Sequence, residues 1–159
     1  MAPQKGPGRN NPGKLSLFVR IPPDARHART VRDALIAFSS LHDVGEADLE
    51  ALLFAVGEAL ANAIEHGAPA IDIDVKLEID PELISARVTD YGTGFQEDNI
   101  PNGYTPLPDG LAERGRGIPI MQRYADRFEV ESMPGHGTVV TLVRYRRNPA
   151  VHQEDGAIS

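Results

Sequence analysis

Between Leu49 and Ile64 the apolar residues Leu49, Leu52, Leu53, Val56, Leu60 and Ile64 recur at three- and four-residue steps, the period of a helix that buries one face. A stripe of that width needs a second layer to cover it. Gly67 stands just past the pattern, where a left-handed helix terminator is expected. The second layer is written in alternating segments. Residues 70–80 (AIDIDVKLEID) and 83–89 (LISARVT) alternate apolar and polar, with Asp80-Pro81-Glu82 as the turn of an antiparallel hairpin. Leu15–Ile21 reads as a further strand, stopped by Pro22-Pro23. Residues 24–41 then read as a helix with Ala28, Val31, Ala34, Leu35 and Phe38 on its apolar face, and a turn at 43–45 leads into the periodic helix. Past residue 116 the pattern gives a short helix over 118–125, with Pro119 tolerated in its first turn, and strands over 127–132 and 138–145 joined by Pro134-Gly135-His136-Gly137. These elements predict a two-layer α/β (α+β) sandwich, with helices on one face of a mixed, largely antiparallel sheet.

The chain has 159 residues, about the size of one domain, which the pattern places over 15–146 between polar tails at 1–14 and 147–159. Lys5, Arg9 and Lys14 make the first tail basic among Gly, Pro and Asn, a composition that predicts flexibility. The net charge of −7 disfavours binding along a nucleic-acid backbone but leaves room for a small phosphate ligand. No apolar run is long enough for a membrane span and the first residues lack a signal-peptide core, so a soluble cytoplasmic protein is expected. The absence of cysteine excludes disulfides, thiolate metal sites and cysteine nucleophiles. His27, His42, His136 and His152 show no metal-ligand spacing. Any chemistry therefore falls to carboxylates, amides, hydroxyls or histidines.

Four local signals stand out. Glu58 and Asn62 lie four residues apart on one face of the periodic helix, with Ala51, Ala55 and Glu65 beside them, and the small neighbours suggest room for a ligand. Asn62 suits a divalent cation carrying phosphate oxygens, and Glu58 suits acceptance of a hydroxyl proton, although a solvated helix face has the same look. Asp90-Tyr91-Gly92-Thr93-Gly94 closes the second hairpin strand, where a carboxylate can accept an exocyclic amine and glycines admit a flat ring; a plain turn is the alternative. Gly115-Arg116-Gly117 precedes the short helix beginning at Ile118, where free N–H groups suit phosphate, and Arg114 and Arg116 flank it. It matches neither a dinucleotide fingerprint nor a P-loop. Last, Gly135-His136-Gly137-Thr138 offers a threonine hydroxyl that can support the Asp90 carboxylate. His66 reads as a cap on the helix C-terminus and is kept among the nucleotide-site residues. The Pro- and Gly-rich stretch 96–116 has no sustained period and reads as a functional loop.

In order and spacing these segments resemble the GHKL superfamily. FAVGEALANAIEHG is similar to its N-box, VTDYGTGF to its first glycine box, ERGRGIPIMQRYADRFEVES to its second and GHGTVVTLV to its closing strand. Within that superfamily the chain most resembles the anti-sigma-factor serine kinases of the RsbW and SpoIIAB type. The resemblance implies a Bergerat fold with a lid at about 96–116, and ATP and Mg2+ as cofactors. By it, Glu58 is the general base, Asn62 the magnesium ligand, Asp90 the adenine-binding acid and Arg114 the lid residue reaching the terminal phosphate. It further implies a serine/threonine kinase acting on a STAS-type anti-anti-sigma protein, with a sigma factor as second partner and a homodimer as its state. A regulator that binds ATP but sequesters its partner without catalysis is the alternative. Pro119 and the Pro-rich lid depart from the family pattern and bear on lid closure.

Overall fold

A computed structural model describes residues 13–94 and 117–147. In chain order these form β1 (Leu15–Ile21), a single 3-10 turn (Ala25–His27), α1 (Ala28–Ser40), α2 (Glu46–His66), β2 (Ile73–Ile79), β3 (Leu83–Asp90), α3 (Gly117–Tyr124), β4 (Arg127–Met133) and β5 (Gly137–Tyr145). The strands make one sheet in the order β1-β2-β3-β5-β4.

Every pairing in that sheet is antiparallel, as the expected two-layer sandwich with a mixed, largely antiparallel sheet requires for most of its pairs, and no parallel pair occurs among the described strands. The connections explain this. Between β1 and β2 the chain passes through two helices, down and back, so it re-enters the sheet reversed. Between β3 and β4 the described residues hold one helix, α3; β4 runs parallel to β3, but β5 lies between those two strands and opposes both. The helix read over 24–41 is likewise two pieces. Asp24 Oδ1 accepts the main-chain N–H of Arg26 at 2.9 Å and starts the 3-10 turn, and the regular helix begins only at Ala28.

The turns show how local sequence dictates the path. Asp80 Oδ1 accepts from the N–H groups of both Glu82 and Leu83 at 2.8 Å, and Pro81 supplies the fixed φ, so the β2–β3 hairpin closes with its polar groups satisfied. Asp43, between α1 and α2, holds φ +53°, a left-handed conformation that aspartate tolerates better than most side chains.

The core lies between α2 and the inner sheet face. From α2 it takes Leu52, Leu53, Ala55, Val56, Ala59, Leu60 and Ala63, and from β2, β3 and β5 Ile73, Val75, Leu77, Ile79, Ile84, Ala86, Val88, Val140 and Leu142. Val31 and Leu35 add the inner face of α1, and Met121 that of α3. Truncating a fully buried leucine such as Leu52 costs about 2–5 kcal/mol. The opposite sheet face carries no helix among the described residues and shows Phe18, Tyr91 and Tyr145 to solvent. No helix among the described residues is long and apolar enough to cross a membrane.

One buried ion pair fastens the layers at the far end of α2. Arg144 Nε donates to Asp48 Oδ1 at 3.1 Å, and the two side chains are only 9% and 3% exposed. Arg144 Nη1 also donates to the Tyr124 carbonyl at 3.3 Å, and Asp48 Oδ2 accepts the Arg147 N–H at 2.8 Å. The pair thus ties the first turn of α2 to β5 and to the end of α3. Lys14, read as part of a flexible tail, pairs with Glu78 at 2.8 Å. Lys5, Arg9 and His152 lie outside the described residues.

Candidate functional site

Three segments distant in sequence meet at the C-terminal end of α2: His66-Gly67, the end of β3 with the turn Asp90–Gly94, and the β4–β5 turn leading to Thr138. The register sets Asp90 directly opposite Thr138, and the pleat turns Asp90 toward the helical layer. Its carboxyl is buried, 9% exposed for the residue, and accepts the N–H of Gly92 at 3.0 Å and the main-chain N–H of Thr138. Burial raises the Asp90 pKa above its ordinary 3.8, while these two N–H donors and the charge of His66 pull the other way. A carboxylate has about four acceptor positions, so capacity remains for a donor brought by a ligand. The two turns are stitched together by the Gly135 N–H donating to the Thr93 carbonyl at 2.6 Å.

Thr138 supports Asp90 in a different way from that expected. Its hydroxyl shares a hydrogen bond of 2.9 Å with the hydroxyl of Ser132, which also donates to the Gly137 carbonyl at 3.2 Å. The main chain of Thr138, not its hydroxyl, reaches the carboxyl. Ser132, buried at 3%, was invisible as a site residue in the sequence because it sits in an ordinary alternating strand.

Glycine is required here by proximity. Gly67 has φ −75° and ψ −177°, so it is not the left-handed terminator its position suggested. A Cβ there would lie 2.3 Å from the Ala63 carbonyl oxygen and 3.1 Å from Asp90 Cβ. At Gly92 a Cβ would come within 2.8 Å of Gly67 Cα, and at Gly137, where φ is +94°, it would overlap the Asp90 carbonyl. The helix end, the acid and the last turn therefore sit closer than side chains allow. Gly57 is the internal comparison, since it lies in α2 with open space around its Cβ position. Chemical denaturation should show Gly67→Ala destabilised by about 1–3 kcal/mol and Gly57→Ala unchanged or stabilised by up to about 1 kcal/mol.

Glu58 and Asn62 lie one turn apart on α2, both half-buried. Ala51 and Ala55 do not line open space beside them, being 7% and 0% exposed; they are packed inside the molecule. Glu65 is exposed. His66 ends α2, its side chain 24% exposed and its Nε2 3.6 Å from Glu65 Oε2. Gly94 takes φ +69°, a left-handed conformation natural to glycine, and Gly117 and Ile118 open α3. Arg114, Gly115 and Arg116 lie outside the described residues, as does the whole stretch 96–116 that was expected to form a lid.

These residues fit a purine nucleotide. The buried Asp90 with free acceptor capacity suits an exocyclic amine, and the glycine-built closeness around it keeps that acceptor fixed. No group of three or more His, Asp or Glu side chains gathers among the described residues.

A helix-backed antiparallel sheet with a buried acid at a strand end and an acid–amide pair on the neighbouring helix defines an ATPase-type domain. The chain belongs to the histidine kinase-like ATPase domain family, which it matches over residues 21–144. It is 34% identical over 123 residues to the anti-sigma F factor of a Thermoanaerobacter species, covering 74% of this chain and 82% of that protein. It is 28% identical over 137 residues to the serine-protein kinase RsbW of Bacillus velezensis, covering 80% and 83%. Its fold also matches the solved RsbU and RsbW domains of a Mycobacterium tuberculosis protein, with a TM-score of 0.60 at 21% identity over 84% of this chain; it spans 33% of that longer chain.

Proposed function

We propose that this protein binds ATP with magnesium and transfers phosphate to a serine of a STAS-type anti-anti-sigma protein, thereby controlling a sigma factor. The observation that carries the reading is the buried Asp90 acceptor, held by the Gly92 and Thr138 N–H groups, at the same helix that presents Glu58 and Asn62. The similarity to an anti-sigma F factor and to a serine-protein kinase supports the choice of partner and of acceptor.

When bound, magnesium and the triphosphate supply an electrophilic phosphoryl group with its charge partly neutralised. This chain's residues do the rest. Asp90 accepts the base amine and fixes the purine, and the Asn62 amide oxygen ligates the cation. Glu58 takes the serine hydroxyl proton as the oxygen attacks, the bond to the leaving diphosphate breaks, and phosphoserine and ADP result. Arg114 offsets charge on the transferred group, with Gly115, Arg116 and Gly117 contributing main-chain N–H groups to the phosphates. The protein acts as a homodimer in the cytoplasm. Glu58 favours this reading over partner sequestration without catalysis, since sequestration has no use for a proton acceptor beside the metal ligand.

The test is incubation with labelled ATP and purified STAS-domain proteins. Label on a serine, dependent on magnesium, is the expected outcome. Tight partner binding with no label at any partner concentration would establish the sequestering alternative instead.

A further inference from the structure

On the outer face of the sheet, away from the socket, a continuous polar chain runs from the edge strand to the residue beside Asp90. The pleat that turns Asp90 inward turns Tyr91 outward, and the Tyr91 hydroxyl donates to Asp74 Oδ2 at 2.6 Å. Asp74 sits on β2 opposite Arg20 of β1, which grips it with both arms: Nε to Oδ1 at 2.6 Å and Nη2 to Oδ2 at 3.1 Å. The Arg20 guanidinium also lies 5.5 Å from the centre of the Phe18 ring. Covered by these two partners, Asp74 is 9% exposed although it lies on the open face, while Phe18 and Tyr91 remain 56% and 41% exposed. Both oxygens of Asp74 are spoken for, and the Arg20 contact holds its carboxyl well below the usual carboxylate range.

A plain Asp-x-Gly turn has no need of this. The two glycines after Tyr91 leave the main chain at Gly92 and Gly94 little intrinsic stiffness, yet the Gly92 N–H is one of the two donors that orient the Asp90 carboxyl. A phenol anchored across β2 restores rigidity at the one residue between the acid and its donor. We propose that Tyr91 is a positioning residue for nucleobase recognition, locking the Asp90–Gly92 turn through its bond to Asp74, with Arg20 of the edge strand as the back-stop. The inference rests on the reading of Asp90 as the base acceptor. Its consequence is that the edge strand β1, which contributes no atom to the socket, is energetically linked to base recognition.

The test compares the affinities of ATP and inosine triphosphate by calorimetry, since the inosine nucleotide carries the same phosphates and ribose without the exocyclic amine. Tyr91→Phe removes only the hydroxyl from a partly exposed ring and keeps the fold. It should weaken ATP by about five- to tenfold and leave inosine triphosphate unchanged. Arg20→Met should act in the same direction by a smaller factor, and adding it to Tyr91→Phe should cost nothing further, because the link is already cut. An unchanged ATP-to-inosine ratio in Tyr91→Phe, or an equal loss for both nucleotides, overturns the inference and leaves Tyr91 a strand fastener. Asp90→Ala separates the two failures. If it abolishes the ratio while Tyr91→Phe does not, the base acceptor stands and the positioning role falls; if it leaves ATP affinity intact, both fall.

Discussion

Glu58→Gln is expected to slow phosphoryl transfer to the partner serine by about 10²–10⁴-fold with little change in magnesium-dependent ATP affinity. The amide is nearly the shape of the acid but accepts no proton, so the hydroxyl must lose its proton to water. Because Glu58 is half-buried on the same helical face as Asn62, one turn before it, the substitution leaves the metal ligand and the base socket in place. Single-turnover measurement with saturating ATP isolates the transfer step from nucleotide binding. A loss confined to ATP affinity would instead make Glu58 a binding group, and an unchanged rate would remove the general base from the mechanism.

The second large effect lies far from the chemistry. Asp48→Ala leaves Arg144 buried without its carboxylate and strips the Arg147 N–H of its acceptor. Removing one partner of a buried pair costs about 3–5 kcal/mol, and Asp126 Oδ2, 3.9 Å from Arg144 Nε, is too far to replace the lost hydrogen bond. For a domain of this size that is a fall in Tm of about 10 °C or more. Arg29 and Asp33 supply the control, an exposed pair at 3.7 Å with side chains 87% and 66% exposed. Asp33→Ala should change stability by no more than about 1 kcal/mol. Equal Tm shifts for Asp48→Ala and Asp33→Ala would show that the buried pair does not fasten α2 to β5.

These two residues also mark where the sequence was and was not readable. Local rules sufficed for β1, whose Pro22-Pro23 stop and alternation define its ends, for α2 with its strong period, and for the hairpin turned by Asp80. Asp90, Gly92 and Gly137 were legible as well, because acids at strand ends and glycines in turns are distinctive in short windows. What escaped is long-range. Asp48 and Arg144 are 96 residues apart, and neither carries a local sign that it will be buried with the other. The insertion of β5 between β3 and β4, which makes the sheet wholly antiparallel, is a choice of pairing that strand patterns leave open. Gly67 shows a subtler limit: a glycine after a helix signals either a left-handed terminator or a close approach, and only the position of Asp90 decides between them. In the sequence Tyr91 is only one residue of the Asp90–Gly94 turn. The ring is 41% exposed, and the hydroxyl's partner lies on another strand, 17 residues earlier.

The most direct measurement of the central claim is a calorimetric titration of the intact chain with ATP, with and without magnesium, repeated on Asp90→Ala. Saturable, magnesium-dependent binding that Asp90→Ala weakens by about ten- to a hundredfold is the predicted result. Binding of equal strength in both proteins, or no nucleotide uptake by the unaltered chain, would contradict it.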